Sequence, residues 1–255
     1  MAQWGLMKID SSILIVGAVS QEINPLIEKL NASRKISIGQ RDMLCGTLFN
    51  QSIIVVQSGI GMLNATQAVT AVVEKMPVHL IINTGCAGAF PDAGFAIGDI
   101  GIATQETDIH IGLESASSDN LPEKLTFPLI QTASASYFGN YPTSELYRNM
   151  AFELLSKKNS FDVHVKMMPF ITVSCITISE QRTKQLFLKY QAGMENMEGA
   201  GVAHVALLYN KPFLEIRAAS NYVGERDKRK WQLKKAFEHS TDAVFTLLKN
   251  MNESK

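Results

Sequence analysis

Two carboxylates, Glu195 and Glu198, stand either side of Asn196 and Met197, just ahead of a run of small residues. Gly199, Ala200, Gly201, Ala203 and Ala206 allow a helix over 199–209 to pack closely, and Pro212 rules out its continuation. A β-rich run over 213–217 then delivers Ala218, Ala219, Ser220 and Asn221 at its carboxyl end. In open α/β sheets, ligands collect beyond the carboxyl ends of strands. A helix-entry carboxylate, Glu198, and a strand-exit amide, Asn221, could therefore face one pocket. A carboxylate only accepts hydrogen bonds and matches the two vicinal hydroxyls of a sugar; an amide both donates and accepts, and suits a purine-like ring.

Glu22 is a third candidate. It sits one turn into the first helix, just past the first strand, where a general base would be placed to take a proton from water. A carboxylate there could equally answer the helix dipole. Glycine or small-residue loops follow three strands: Gly17-Ala18, Ser58-Gly59-Ile60-Gly61 and Thr84-Gly85-Cys86-Ala87-Gly88. Glycine allows close ligand approach, and it also makes ordinary turns. None of the three is a dinucleotide fingerprint or carries a P-loop lysine. His204, among Ala203, Val205 and Ala206, reads as a core histidine. The absence of a G-x-S-x-G elbow leaves a triad hydrolase poorly supported.

Several elements must position these groups. A strand over 13–16 precedes a helix capped by Ser20. Residues 43–49 and 53–57 read as a hairpin turning at Asn50-Gln51. A helix over 63–75 follows the second glycine loop and stops at Pro77; a buried strand over 80–83 leads into the third. Strand character resumes over 98–104, and a polar, irregular connection runs from 105 to about 131; so long a connection is more often functional than idle. A helix over 145–158, a strand over 163–174 bent near Pro169, and a helix over 180–190 capped by Ser179 come before the Glu195 region. A last amphipathic helix occupies roughly 231–248. Strands alternate with helices, without linker or repeat, over the whole of 1–255, which predicts one α/β domain with a mixed sheet between two helical layers.

The composition, 46% apolar and 19% charged with zero formal net charge, argues against nucleic-acid or anionic-membrane partners. The basic run Arg226 to Lys230 is interrupted by Asp227 and reads as a solvated face. Cys45, Cys86 and Cys175 form no disulfide framework and no metal spacing, so a reducing compartment, by default the cytoplasm, is expected. No apolar run approaches the length of a bilayer span, and the segment 13–19 reads as a buried strand, not a signal peptide.

Together, Ile-Val-Gly-Ala at 15–18 with Gln21-Glu22, the loop 58–61, Ile-Ile-Asn-Thr-Gly-Cys-Ala-Gly at 81–88, Met-Glu-Gly-Ala at 197–200 and Arg-Ala-Ala-Ser at 217–220 resemble the nucleoside phosphorylase/nucleosidase superfamily over nearly the whole chain. Within it the pattern looks like the futalosine hydrolases of menaquinone biosynthesis, with methylthioadenosine/S-adenosylhomocysteine nucleosidases as near neighbours. The resemblance implies a three-layer αβα sandwich around a twisted mixed sheet, a homo-oligomer, a small nucleoside substrate, and neither metal nor organic cofactor. It implies a water-activating role for Glu22 and ribose contacts from Met197 and Glu198. Cys86, Ala87 and Gly88 would line the base and sugar pocket, with cysteine where the nucleosidases have serine. Ile60 would lie near the 5′ substituent. Thr177 and Ile178 fall on the base-stacking stretch, without the nucleosidases' phenylalanine.

Asn221 stands where adenine-cleaving nucleosidases have aspartate. An amide can accept from N7–H and donate to a 6-oxo group, which an aspartate carboxylate would repel, so hypoxanthine is expected over adenine. Asparagine cannot serve as a general acid; Asp227 is a candidate for a supporting role, or else a structural partner of Arg226 or Arg229. Glu106, Thr107, Asp108 and Gly112 resemble the futalosine hydrolase pattern, and the loop they begin would shape a pocket for the 5′ extension, with Arg226 or Arg229 as its cation. A phosphorylase, an adenine-directed nucleosidase and a non-catalytic nucleoside binder are the competing readings. No basic phosphate cradle accompanies the glycine loops.

Overall fold

The computed structural model describes residues 11–115, 121–158 and 160–251. The chain opens with β1 (Ser12–Gly17), α1 (Ser20–Glu28), β2 (Asn31–Ile38), β3 (Arg41–Leu48), β4 (Gln51–Gln57) and α2 (Met62–Val73). It continues through β5 (Val78–Ala89), β6 (Ile100–Asp108), β7 (Ile130–Gln131), β8 (Ser136–Tyr137), β9 (Asn140–Pro142) and α3 (Glu145–Lys157). It finishes with β10 (Val165–Thr172), α4 (Glu180–Tyr190), β11 (Met194–Asn196), α5 (Gly199–Leu208), β12 (Phe213–Tyr222) and α6 (Leu233–Asn250).

Period-two alternation in β1 sorts the two faces of the sheet. Ile13 and Ile15 pack with Ile23 and Leu26 of α1, Ala151 and Leu155 of α3, and Ala243, Val244 and Leu247 of α6. Leu14 and Val16 pack on the opposite face with Ala65, Val69 and Val72 of α2 and with Ala200, Ala203 and Ala206 of α5. A strand covered on both sides must be apolar at every position, which is why β1 reads as an unbroken Ile-Leu-Ile-Val run. The expected αβα sandwich with a mixed sheet is the observed fold.

Among the described residues the main sheet runs β11-β10-β6-β12-β5-β1-β4-β3-β2, with β9 on β6. The pairs β1–β5 and β5–β12 are parallel, while β12–β6 is antiparallel. The far end of β5 also pairs antiparallel with β11, through Met194↔Ala89 and Glu195↔Gly88. Strands β5, β12, β6, β10 and β11 thereby curl into a ring. No helix of the described residues is long and apolar enough to cross a membrane.

Several expectations need correction. The run Thr84 to Ala89 is not a loop: it remains in β5, because β12 and β11 give its backbone partners to the end. Ser20 does not cap α1; Val19 occupies that position and the Glu22 carboxylate takes the capping bonds. Strand β2, largely exposed and polar, was not anticipated; it pairs at the sheet edge with β3, where no apolar pattern is required. Glu106, Thr107 and Asp108 begin no loop but close β6, held by β10 and β9. Residues 116–120 of the long connection lie outside the described residues. The hairpin turns one residue earlier than expected, at Phe49 and Asn50, both at positive φ, because Leu48 pairs with Gln51 and draws it into β4. Two local expectations match the structure: Ser179 accepts from Arg182 N–H at the start of α4, and the β10–β6 register shifts between Met168 and Phe170.

Candidate active site

β1 ends beside the middle of β5, β5 and β12 run on together past it to Ala89 and Tyr222, and a cavity of about 260 Å³ opens there. Glu22, Ile60, Cys86, Ala87, Gly88, Met197, Glu198 and Asn221 all line it. So do Glu195, Arg217, Trp231 and Phe237, which the motif reading did not place in the site.

Glu22 is buried to 2% exposure. Its Oε2 accepts from Ala18 N–H (2.7 Å) and Val19 N–H (3.2 Å), and its Oε1 from Cys86 N–H (3.0 Å). Three backbone donors hold the carboxylate between the end of β1 and the middle of β5. Gly85 makes room for it: a Cβ there would lie 2.9 Å from Oε2 and closer still to Oε1, at a backbone φ of +149°. Burial pushes the Glu22 carboxyl above its ordinary value, and the Arg217 charge and the Cys86 N–H oppose the rise. The neighbouring Cys86 thiol is pushed up to about 12, chiefly by burial and then by the Glu22 charge, so it stays protonated.

Glu198 enters from the head of α5. Gly61 N–H donates to its Oε1 (3.0 Å), and Arg217 Nη2 lies 3.4 Å from its Oε2. Asn196 does the capping: its Oδ1 accepts from Glu198 N–H (2.9 Å) and Gly199 N–H (2.7 Å). Arg217 is 1% exposed and is fixed by Glu215 Oε1 (2.9 Å) and the Cys86 carbonyl (3.2 Å). Burial works against its charge, but Glu215, Glu198 and Glu22 together hold it above its ordinary value. Behind the arginine, Glu106 and Glu215 are both fully buried and meet against Gly199, where a Cβ would come 2.6 Å from Glu215 Oε2 and nearer still to Glu106 Oε1. Burial, then the Glu215 charge, drives the Glu106 carboxyl far up, so it keeps its proton, while Arg217 pairs with Glu215. This polar cluster, not a substrate loop, is what Glu106 belongs to.

Asn221 has both ends of its amide engaged. Ser220 Oγ donates to Oδ1 (2.7 Å), and Nδ2 donates to the Tyr222 carbonyl (3.0 Å). Flipping the amide would set its oxygen against that carbonyl, so the orientation is fixed. One lone pair on Oδ1 and one hydrogen on Nδ2 remain for a ligand.

Three sequence-based candidates fall outside the cavity. Thr177 is buried beside it, giving its N–H to Glu195 Oε1 (2.9 Å) and its hydroxyl to Glu195 Oε2. Ile178 is exposed and accepts from Arg226 Nε through its carbonyl; Ile176 and Val173 line the cavity in their place. Asp227 is bound by Arg229 through Nε and Nη2 (both 2.8 Å) on an exposed turn outside the cavity, the structural pairing that the sequence also allowed. With Arg226 on Ile178 and Arg229 on Asp227, neither arginine lines the cavity. His204 sits half-buried against Tyr141 Oη (2.9 Å), away from the cavity, and burial lowers its pKa. Among the described residues no group of His, Cys, Asp and Glu could hold a metal ion.

Glu195 and Arg217 carried signals that could have been used. Glu195 lies three residues before Glu198, and two opposite charges, Glu215 and Arg217, two apart in the buried strand β12, are anomalous unless paired.

The geometry has counterparts. The family model described as "Phosphorylase superfamily" matches residues 12–251. The chain is 28% identical over 200 residues to a futalosine hydrolase of Thermus thermophilus, covering 76% of this chain and 80% of that one. It is also 28% identical over 251 residues to a 5′-methylthioadenosine/S-adenosylhomocysteine nucleosidase of Bacillus licheniformis, covering 94% and 99%. A nucleosidase of that second kind from Neisseria meningitidis, solved with methylthio-immucillin-A, shares the fold with a TM-score of 0.81 at 20% identity, over 94% of this chain and 99% of that one. With a family match across nearly every described residue and a cavity at the strand ends, the chain belongs to the phosphorylase superfamily and, like those relatives, is an enzyme.

Proposed function

We propose that this chain is an N-glycosyl hydrolase that cleaves the N-ribosidic bond of a 6-oxopurine nucleoside, with futalosine as the substrate. The observation that carries the base preference is the fixed Asn221 amide, whose free donor and acceptor suit a 6-oxo group and N7–H. Glu22 takes a proton from the water that attacks C1′, while the C1′–N9 bond breaks and the electron pair leaves with the base. Glu198 holds the ribose hydroxyls and its charge favours the oxocarbenium-like transition state. Asn221 steadies the departing purine, whose N7 takes its proton from solvent.

Hydrolysis is preferred over phosphorolysis because, among the described residues, Arg217 is the only cation lining the cavity and its charge is already met by Glu215 and Glu198. Glu22, Glu195 and Glu198 would repel phosphate. A second reading, cleavage of methylthioadenosine or S-adenosylhomocysteine, draws on the relative that covers more of the chain. A homo-oligomer, to be measured by sedimentation, goes with either reading.

The test is a side-by-side product assay on futalosine, aminodeoxyfutalosine, methylthioadenosine and inosine in phosphate-free buffer. Hypoxanthine release from futalosine supports the proposal. No release above the blank ends it, and strict dependence on added phosphate turns it into a phosphorylase.

A further inference from the structure

Glu195 is the acidic residue in the cavity that the mechanism leaves unused. It lies on β11, where its register partner is Gly88 of β5; on the other side of β5, Gly88 is also the register partner of Asn221 on β12. Residues paired across neighbouring strands project from the same face of a sheet. Glu195 and Asn221 therefore flank Gly88 from either side, and all three line the cavity. The glycine leaves the gap open: a Cβ at Gly88 would already lie 3.4 Å from Asn221 Nδ2.

The carboxylate is buried, at 5% exposure, and Thr177 supplies both donors it receives among the described residues, one to each oxygen. A carboxylate has about four acceptor positions, so one on each oxygen remains. The clamp fixes the group without exhausting it.

A 6-oxopurine presents, in order along one edge, N7, the O6 acceptor and the N1–H donor. Asn221 can meet the first two. The next position needs an acceptor, and Glu195 is an acceptor on the far side of Gly88. A 6-aminopurine reverses the pattern: N1 carries a lone pair, which a carboxylate repels. An ionised carboxylate has no donor to offer, so it cannot be turned to suit the other base. Resting on the reading that this cavity cleaves a purine nucleoside, we infer that Glu195 is a second specificity-determining residue for the base beside Asn221, accepting N1–H of a 6-oxopurine and excluding 6-aminopurines, with Thr177 as its positioning residue.

The test uses free bases, so it needs neither turnover nor a particular 5′ group. Calorimetric affinities of the wild-type chain are measured for hypoxanthine, 1-methylhypoxanthine and adenine, then repeated with Glu195→Gln. Wild type should favour hypoxanthine over both others by roughly tenfold or more, the scale of one mispaired buried polar group. Glu195→Gln, which can offer an N–H to the N1 lone pair, should shift the hypoxanthine-to-adenine ratio toward adenine by a similar factor. An equal loss for all three bases, or an unchanged ratio, overturns the inference and leaves the 6-oxopurine reading standing. Wild-type preference for adenine, or binding of none of the bases, overturns both. Should the glutamine variant fail to fold, the wild-type comparison of hypoxanthine with its 1-methyl derivative decides: equal affinity refutes a contact at N1.

Discussion

Glu22→Gln separates a catalytic carboxylate from a merely structural one, and the structure sets both scales. The native carboxylate accepts from three backbone N–H groups, two on Oε2 and one on Oε1. Glutamine has one oxygen. Its better placement turns that oxygen to Ala18 and Val19 and leaves Cys86 N–H facing an amide nitrogen. One buried donor is then unpaired, which costs about 1–3 kcal/mol. The variant also removes a buried charge, so the net loss should fall at the lower end, near 1 kcal/mol, a fall in Tm of about 2–4 °C for a domain of this size. Loss of a general base instead lowers turnover by about 10²–10⁴. Thermal unfolding and steady-state product release on the same preparation give both numbers. A folded variant with turnover within about threefold of wild type would refute the role assigned to Glu22. The pH profile gives a second check. Glu22 must be ionised to accept a proton, and burial raises its pKa from the ordinary 4.5, so kcat/KM should fall with acid at a pH above the usual carboxylate range. The same shift has a defined sign for stability. The folded state binds this proton more tightly than the unfolded one, so stability drops as pH rises from the ordinary to the raised value, and Glu22→Gln should flatten that slope.

Gly85→Ala should abolish turnover much as Glu22→Gln does, because its Cβ would displace the carboxylate; Gly61→Ala, also at positive φ but with nothing within 4 Å, should cost only the backbone strain, about 1–3 kcal/mol, in a denaturant melt. Arg217→Met leaves Glu215 and Glu198 without their shared cation and should destabilise by about 3–5 kcal/mol in the same measurement; a loss below about 1 kcal/mol would contradict the buried network described above. Asp227→Ala should leave kcat and KM close to wild type, since the residue only pairs with Arg229 at the surface; a hundredfold drop in kcat would restore it to the catalytic set.

The apolar run of β1 and the Ser179 cap of α4 were legible because each is a local choice: a strand buried on both faces must be apolar throughout, and a serine just before a helix can accept from its first-turn N–H groups. Glu22, Glu198 and Asn221 were legible for the same reason, each sitting at the end of an element whose type its neighbours dictate. What lies between those ends was decided by tertiary pairing. Thr84 to Gly88 look like a loop until β11 and β12 supply partners for their backbone. Glu106, Glu215 and Arg217 lie on β6 and β12, and only the antiparallel pairing of those strands makes their burial tolerable, by putting a proton on one carboxyl and a guanidinium against the other. Where Thr177 and Asp227 stand was not legible, because the direction of a loop side chain depends on what it meets: one meets Glu195 and the other Arg229. The sequence by itself determined which groups could do chemistry and at which element ends they stand. The tertiary structure decided which of them share a cavity and in what protonation state, because distance and burial belong to the packed chain and not to any stretch of it.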